Sequence, residues 1–101
     1  KVAAVAEAAD INVIIGGIAA FSQLEAAAGI HFHTAMHPSK VMPAGEFLFG
    51  LGVRGPDPLV PEPTYTIVDG HVAPSSLPGL GVVLDEQAIT RLTLIHEVVS
   101  A

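Results

Sequence analysis

The chain has 101 residues, half of them apolar, with ten acidic against four basic residues and a formal charge of −6. That length provides one small domain with a modest core, and the shortage of cations argues against a nucleic-acid partner, because neutralising phosphates takes clustered Lys and Arg. The absence of Cys excludes a disulfide framework and thiolate chemistry and fits a cytoplasmic protein; no apolar run has the length of a membrane span, and no signal peptide is visible.

The chain begins at Lys1, without Met, and enters helix-like sequence at once, which reads as a processing site or a fragment end. Residues 2–10, "VAAVAEAAD", are Ala-rich and place Val2, Val5, Ala6 and Ala9 on one face, the pattern of a helix. "INVIIGG" follows, a short branched run closed by Gly16 and Gly17. It lacks polar alternation and is expected to form a strand buried on both faces, as in a parallel sheet.

"SQLEAAAGIHFHTAMHP" opens with Ser22 and Glu25 in capping-box spacing and closes at Pro38, so it reads as a second helix. It carries three of the five histidines, His31, His33 and His37. On a strand, His31 and His33 would share a face, as in a metal-dependent hydrolase that ligates zinc through H-x-H. On a helix they lie about 200° apart and cannot converge. His33 and His37 would share a helical face but lack the Glu of H-E-x-x-H. The capping signal and the proline stop favour the helix.

"KVMPAGEFLFG" reads as a second strand, interrupted by Pro43 and Gly45. Helix, strand, helix, strand in short alternation points to an α/β fold with a parallel sheet. Between Gly50 and Gly81 the chain is Pro-rich, with six of its eight prolines. "TYTIVDGHVA" predicts a hairpin turning at Asp69-Gly70. Arg54, Asp57 and Glu62 are expected at the surface, and Lys40 is expected to be solvated. Asp85 to Val99 reads as a final helix, N-capped by Asp85, with Ile89, Leu92, His96 and Val99 on one face. Two parallel strands cannot bury both of their faces, so the pieces look like part of something larger.

The words "DGHVAP" and "PGLGVVLDEQAI" resemble the closing segment of the enolase superfamily, in its mandelate racemase and muconate lactonizing branch. "VAAVAEAADINVIIGG" is similar to that family's sixth barrel helix and seventh strand. "AAAGIHFHTAMHP" resembles its seventh helix, and "AGEFLFG" its eighth strand, where muconate lactonizing enzymes read G-T-E-L-F-G. The resemblance runs in order over nearly the whole chain. It implies the C-terminal portion of a (β/α)8 barrel, with residues 1–50 as the last βα units and 51–101 as a return segment, hairpin and final helix. On this resemblance the histidines fall on an outer helix and are not metal ligands.

What the resemblance implies for chemistry is a magnesium-dependent isomerase or lyase that abstracts the proton α to a carboxylate. The metal ligands and the lysine bases would come from earlier strands, outside this chain. Glu46 matches the acid at the end of strand eight, where it would face a small carboxylate substrate, although "AGEFLFG" has one residue more between Glu and Gly than the family phrase. Gly16, Gly17 and Ile18 would line the pocket through backbone and shape. Phe21 stands about where many relatives have Glu, and no His stands there, which argues against a His-based racemase. The partners implied are the substrate, the rest of the barrel with its capping domain, and further copies in a homo-oligomer. The 101 residues alone are then expected to be inactive. Two other readings stand beside this one: the hydrolase piece built on His31 and His33, and a non-catalytic domain that oligomerises to bury its strands.

Overall fold

The computed structural model describes residues 1–16, 22–52 and 55–97, without the side chains of residues 43, 44, 47 and 48. The elements in chain order are α1 (Val2–Ala8), β1 (Val13–Ile15), α2 (Gln23–Ala35), a 3-10 turn (Pro38–Lys40), β2 (Val41–Gly45), a second 3-10 turn (Glu46–Leu51) and α3 (Glu86–Leu92). The α/β character and the alternation expected from the sequence are both present.

Helix α1 ends in a Schellman motif. The Asp10 N–H donates to the Glu7 carbonyl (3.1 Å) and the Ile11 N–H to the Ala6 carbonyl (2.8 Å). The motif needs a left-handed residue, here Asp10 at φ 58°, where Gly is usual. A carboxylate there faces the negative end of the helix, which is unfavourable. Lys40, at the end of the 3-10 turn that leads into β2, compensates by pairing with it; the lysine expected to be solvated is an ion-pair partner. The apolar face expected for α1 is not buried: Val2 and Val5 are exposed and only Ala6 is covered.

The Lys40 hydrogen bond, and then its charge, hold the Asp10 carboxyl below the usual aspartate range. A lowered folded-state value adds stability above the unfolded value and loses it as pH falls through the folded one. Wild type is therefore expected to melt above Lys40→Met near neutral pH, with the gap closing as acid protonates Asp10. The carboxylate is solvent-exposed, so the gap is small and also shrinks with salt. Thermal melts of both proteins across acid pH check this.

β1 and β2 form a two-stranded parallel sheet with Val13 opposite Val41 and Ile15 opposite Gly45. β2 spends four residues where β1 spends two, so it bulges between its two register points. Pro43 sits in that bulge, where a residue without an N–H is tolerated. Ile15 packs on the core with α2, so odd-numbered β1 positions face the helix. Ile14 points the other way and is 60% exposed. The strand expected to be buried on both faces is half-buried on one, because among the described residues only that side packs against a helix. "EFLFG", expected to continue the second strand, is instead 3-10; strand pairing stops at Gly45.

The core is Ala27 and Ile30 of α2 with Tyr65, flanked by Ile15, Leu51, Val72, Leu80 and Val82. It thus joins α2 and β1 to the Pro-rich return segment, and an Ile buried to this degree contributes roughly 1.5–3 kcal/mol. The hairpin is present as a single antiparallel bridge, Val68 with His71. Asp69 (φ 49°) and Gly70 (φ 77°) are both left-handed, the type I′ requirement. Asp85 caps α3 as expected, accepting from the Gln87 and Ala88 N–H groups at 2.9 and 3.0 Å.

α3 is shorter than the sequence suggests. It stops at Leu92, and Thr90 and Thr93 turn their hydroxyls onto the carbonyls four residues back, a competition that weakens helices. Leu94 beyond it is 98% exposed. Of the face expected there, His96 lies past the helix end and Val99 lies outside the described residues.

The accessible surface is 7347 Å², against about 5,400 Å² for a folded monomer of this mass. The radius of gyration is 15.0 Å, against about 13 Å for a compact domain of this length. The chain leaves on the order of 2,000 Å² more surface in water than a self-sufficient fold would.

Candidate functional site

Two strand ends define the site. In the parallel pair, Ile15 lies opposite Gly45, so the next residues, Gly16 and Glu46, emerge side by side at the C-terminal edge of the sheet. A Cβ placed on Gly16 would sit 3.6 Å from Oε2 of Glu46. Gly16 therefore leaves room beside the carboxylate for one more group. Glu46 is exposed and has no hydrogen-bond or ion-pair partner among the described residues. A carboxylate that the fold does not consume, at a parallel sheet's C-terminal end, is available to a substrate; that edge is where α/β folds place their chemistry. Gly17, Ile18 and Phe21 lie outside the described residues.

The histidines do not make a site. Residues 29–33 are helical within α2, which overturns the hydrolase reading, since that reading needed His31 and His33 on one strand face. Among the described residues no three His, Asp or Glu side chains converge as a metal set. His31 Nε2 lies 3.1 Å from the Tyr65 hydroxyl. That hydroxyl spends its single proton on the Leu80 carbonyl (2.6 Å), so His31 Nε2–H is the donor and the tautomer is fixed by the network. His37 accepts the Ser39 N–H at Nδ1 (3.2 Å) and caps the first 3-10 turn.

A second polar cluster, at the start of α2, was not foreseen. Asp57, expected at the surface, is half-buried. Its Oδ2 accepts from Ser22 Oγ (2.8 Å) and the Gln23 N–H (2.6 Å), and its Oδ1 from the Leu59 N–H (2.8 Å). Ser22 Oγ in turn accepts from the Leu24 N–H (3.2 Å). Gln23 is 4% exposed. Its Oε1 accepts from the Thr64 and Tyr65 N–H groups (2.9 and 3.0 Å), and its Nε2 donates to the Tyr65 carbonyl (2.9 Å). These bonds fix the first turn of α2 to the return segment. The signal available in the sequence was modest: a polar pair at a helix start and the chain's only tyrosine.

This arrangement can orient a ligand at the strand ends and exchange a proton through Glu46. It cannot chelate a divalent metal by itself, because that takes several converging oxygen ligands.

The family model described as Enolase C-terminal domain-like matches residues 1–88. Searches of curated proteins and of solved structures give no match. The matched residues take in β1, α2, β2 and most of the return segment, the elements that bring Gly16 and Glu46 together, and on that match the chain belongs to the enolase C-terminal domain-like family.

Proposed function

We propose that this chain is the last part of a (β/α)8 barrel in an isomerase or lyase of the muconate lactonizing type, acting on a small carboxylate by removing its α-proton. The observation that carries the reading is the Glu46 carboxylate standing free beside Gly16 at the C-terminal ends of two parallel strands. The uncovered face of β1, opposite α2, has the orientation of a barrel interior.

In this reading Glu46 meets the substrate oxygen on which charge accumulates as the α-proton leaves. Protonated, it donates to that oxygen; ionised, it takes the proton back. Gly16 keeps the space beside it open, and the Asp57 and Gln23 bonds hold α2 against the return segment, around the core on which Ile15 of β1 packs. Enzymes of this superfamily use Mg2+ to stabilise the enediolate. The described residues do not fit that ion: Glu46 is the one carboxylate at the strand ends, so magnesium would be held by other strands of the barrel. It follows that the 101 residues alone turn over no substrate.

Glu46→Gln in the enzyme carrying this segment is expected to lower kcat by about 10²- to 10⁴-fold, the usual contribution of a positioned acid or base. Its thermal midpoint should stay within a degree or two, since exposed substitutions cost little. Steady-state kinetics beside a thermal melt check both; an unchanged kcat would remove Glu46 from the chemistry.

A further inference from the structure

Most of the glycines have a reason in the fold. Gly52, Gly55, Gly70, Gly79 and Gly81 have positive φ, and a Cβ on Gly50 would collide with the Ser22 carbonyl. Gly16 has neither reason. Its φ lies outside the left-handed range, so a side chain could be carried there without backbone strain. Among the described residues a Cβ at this position meets one heavy atom within 4 Å, Oε2 of Glu46 at 3.6 Å, which is ordinary van der Waals contact. Glycine also loses more conformational freedom on folding than alanine would. The chain thus carries a glycine that its described packing does not need, at the place where a side chain would touch the Glu46 carboxylate.

We propose that Gly16 determines substrate size: its bare backbone lets the α-substituent of a carboxylate substrate pass beside Glu46, a placement that rests on the role of Glu46 proposed above. A substrate oxygen hydrogen-bonded to Oε2 lies about 2.7 Å from it. The carboxyl carbon and then the α-carbon follow within two bonds, and the groups on them come into contact with the carboxylate at about 3.5–4 Å. A Cβ on residue 16 would stand 3.6 Å from that same oxygen, on the side facing β1. Side chain and α-substituent therefore compete for one volume. Alanine at this position leaves room for a small substituent and excludes a branched one.

Two acids that differ only in the α-substituent test this on the longer enzyme proposed to carry this segment: propanoate, with a methyl group, and 3-methylbutanoate, with an isopropyl group. Exchange of α-hydrogen with D2O, followed by proton NMR, gives kcat/KM for each. Gly16→Ala is expected to lower the ratio of 3-methylbutanoate to propanoate by about tenfold or more, the range in which a single methylene is discriminated in a pocket, with the thermal midpoint at its wild-type value. An unchanged ratio would overturn the inference. So would a lowered midpoint with both acids slowed alike, since Gly16 would then be a packing residue. Should the wild type exchange neither acid, their dissociation constants by calorimetry are judged on the same tenfold criterion, and a protein that binds neither also overturns it. Glu46→Gln keeps the two readings apart. If it slows exchange while Gly16→Ala leaves the ratio alone, only the role of Gly16 fails; if it exchanges at the wild-type rate while Gly16→Ala moves the ratio, the role of Glu46 fails instead.

Discussion

Gly50→Ala is expected to destabilise the fold by about 3 kcal/mol, the upper end of what overpacking typically costs. A Cβ at Gly50 would lie 2.2 Å from the Ser22 carbonyl oxygen and 2.9 Å from Ala26 Cβ. The first contact is with helix backbone, so no rotamer change relieves it. The Glu46–Leu51 turn would have to lift off α2, moving Glu46 with it and loosening the Leu51 contact to the core. Typical domains hold only 5–15 kcal/mol in total, and this one leaves much of its apolar surface in water. Urea unfolding followed by circular dichroism should show a lower midpoint for Gly50→Ala. Gly16→Ala is the control: the added methyl meets one atom, at an ordinary 3.6 Å, and the midpoint should barely change. Equal midpoints for wild type and Gly50→Ala would contradict the packing of the turn on α2.

A loss of similar size is expected for Gln23→Leu. Leucine fills nearly the same volume but makes none of the three hydrogen bonds that Gln23 gives to residues 64 and 65. Two backbone N–H groups and one carbonyl then lose their partner, and each buried orphan costs about 1–3 kcal/mol. Partial relaxation brings the expected total to about 3 kcal/mol or more. Gln23→Glu should also be destabilising, because a carboxylate keeps the two accepted bonds but faces the Tyr65 carbonyl with no donor and brings charge into a buried site. The same urea series, with hydrogen exchange at the Thr64 and Tyr65 amides, checks both. Unprotected amides in Gln23→Leu with a wild-type global midpoint would mean that the return segment opens on its own.

How much of this was legible in the sequence follows the range of the interactions. Ser22, Asp85 and the Asp69-Gly70 turn were readable because each acts on backbone within a few residues. The α2 assignment decided the histidine question for the same reason. The Gln23, Asp57 and Tyr65 network was not readable, since its partners lie 34 to 42 residues apart and no local pattern encodes them. Exposure was misjudged at Val2, Val5 and Ile14 because an apolar face says only that something should cover it. "EFLFG" was misread as strand because a short apolar run has no period that separates the states; β2 pairing ends at Gly45. Glu46 was found by resemblance to a family phrase, and its position beside Gly16 follows from a parallel register that composition could not supply.

The most direct test of the account is loss of α-hydrogen to D2O, followed by proton NMR on a panel of small carboxylates, with the longer enzyme proposed to carry this segment. The predicted result is Mg2+-dependent exchange at the α-carbon of at least one of them, slowed by two orders of magnitude or more in Glu46→Gln, and none from the 101 residues alone. Exchange at the wild-type rate in Glu46→Gln, or no exchange with any member of the panel, would contradict it.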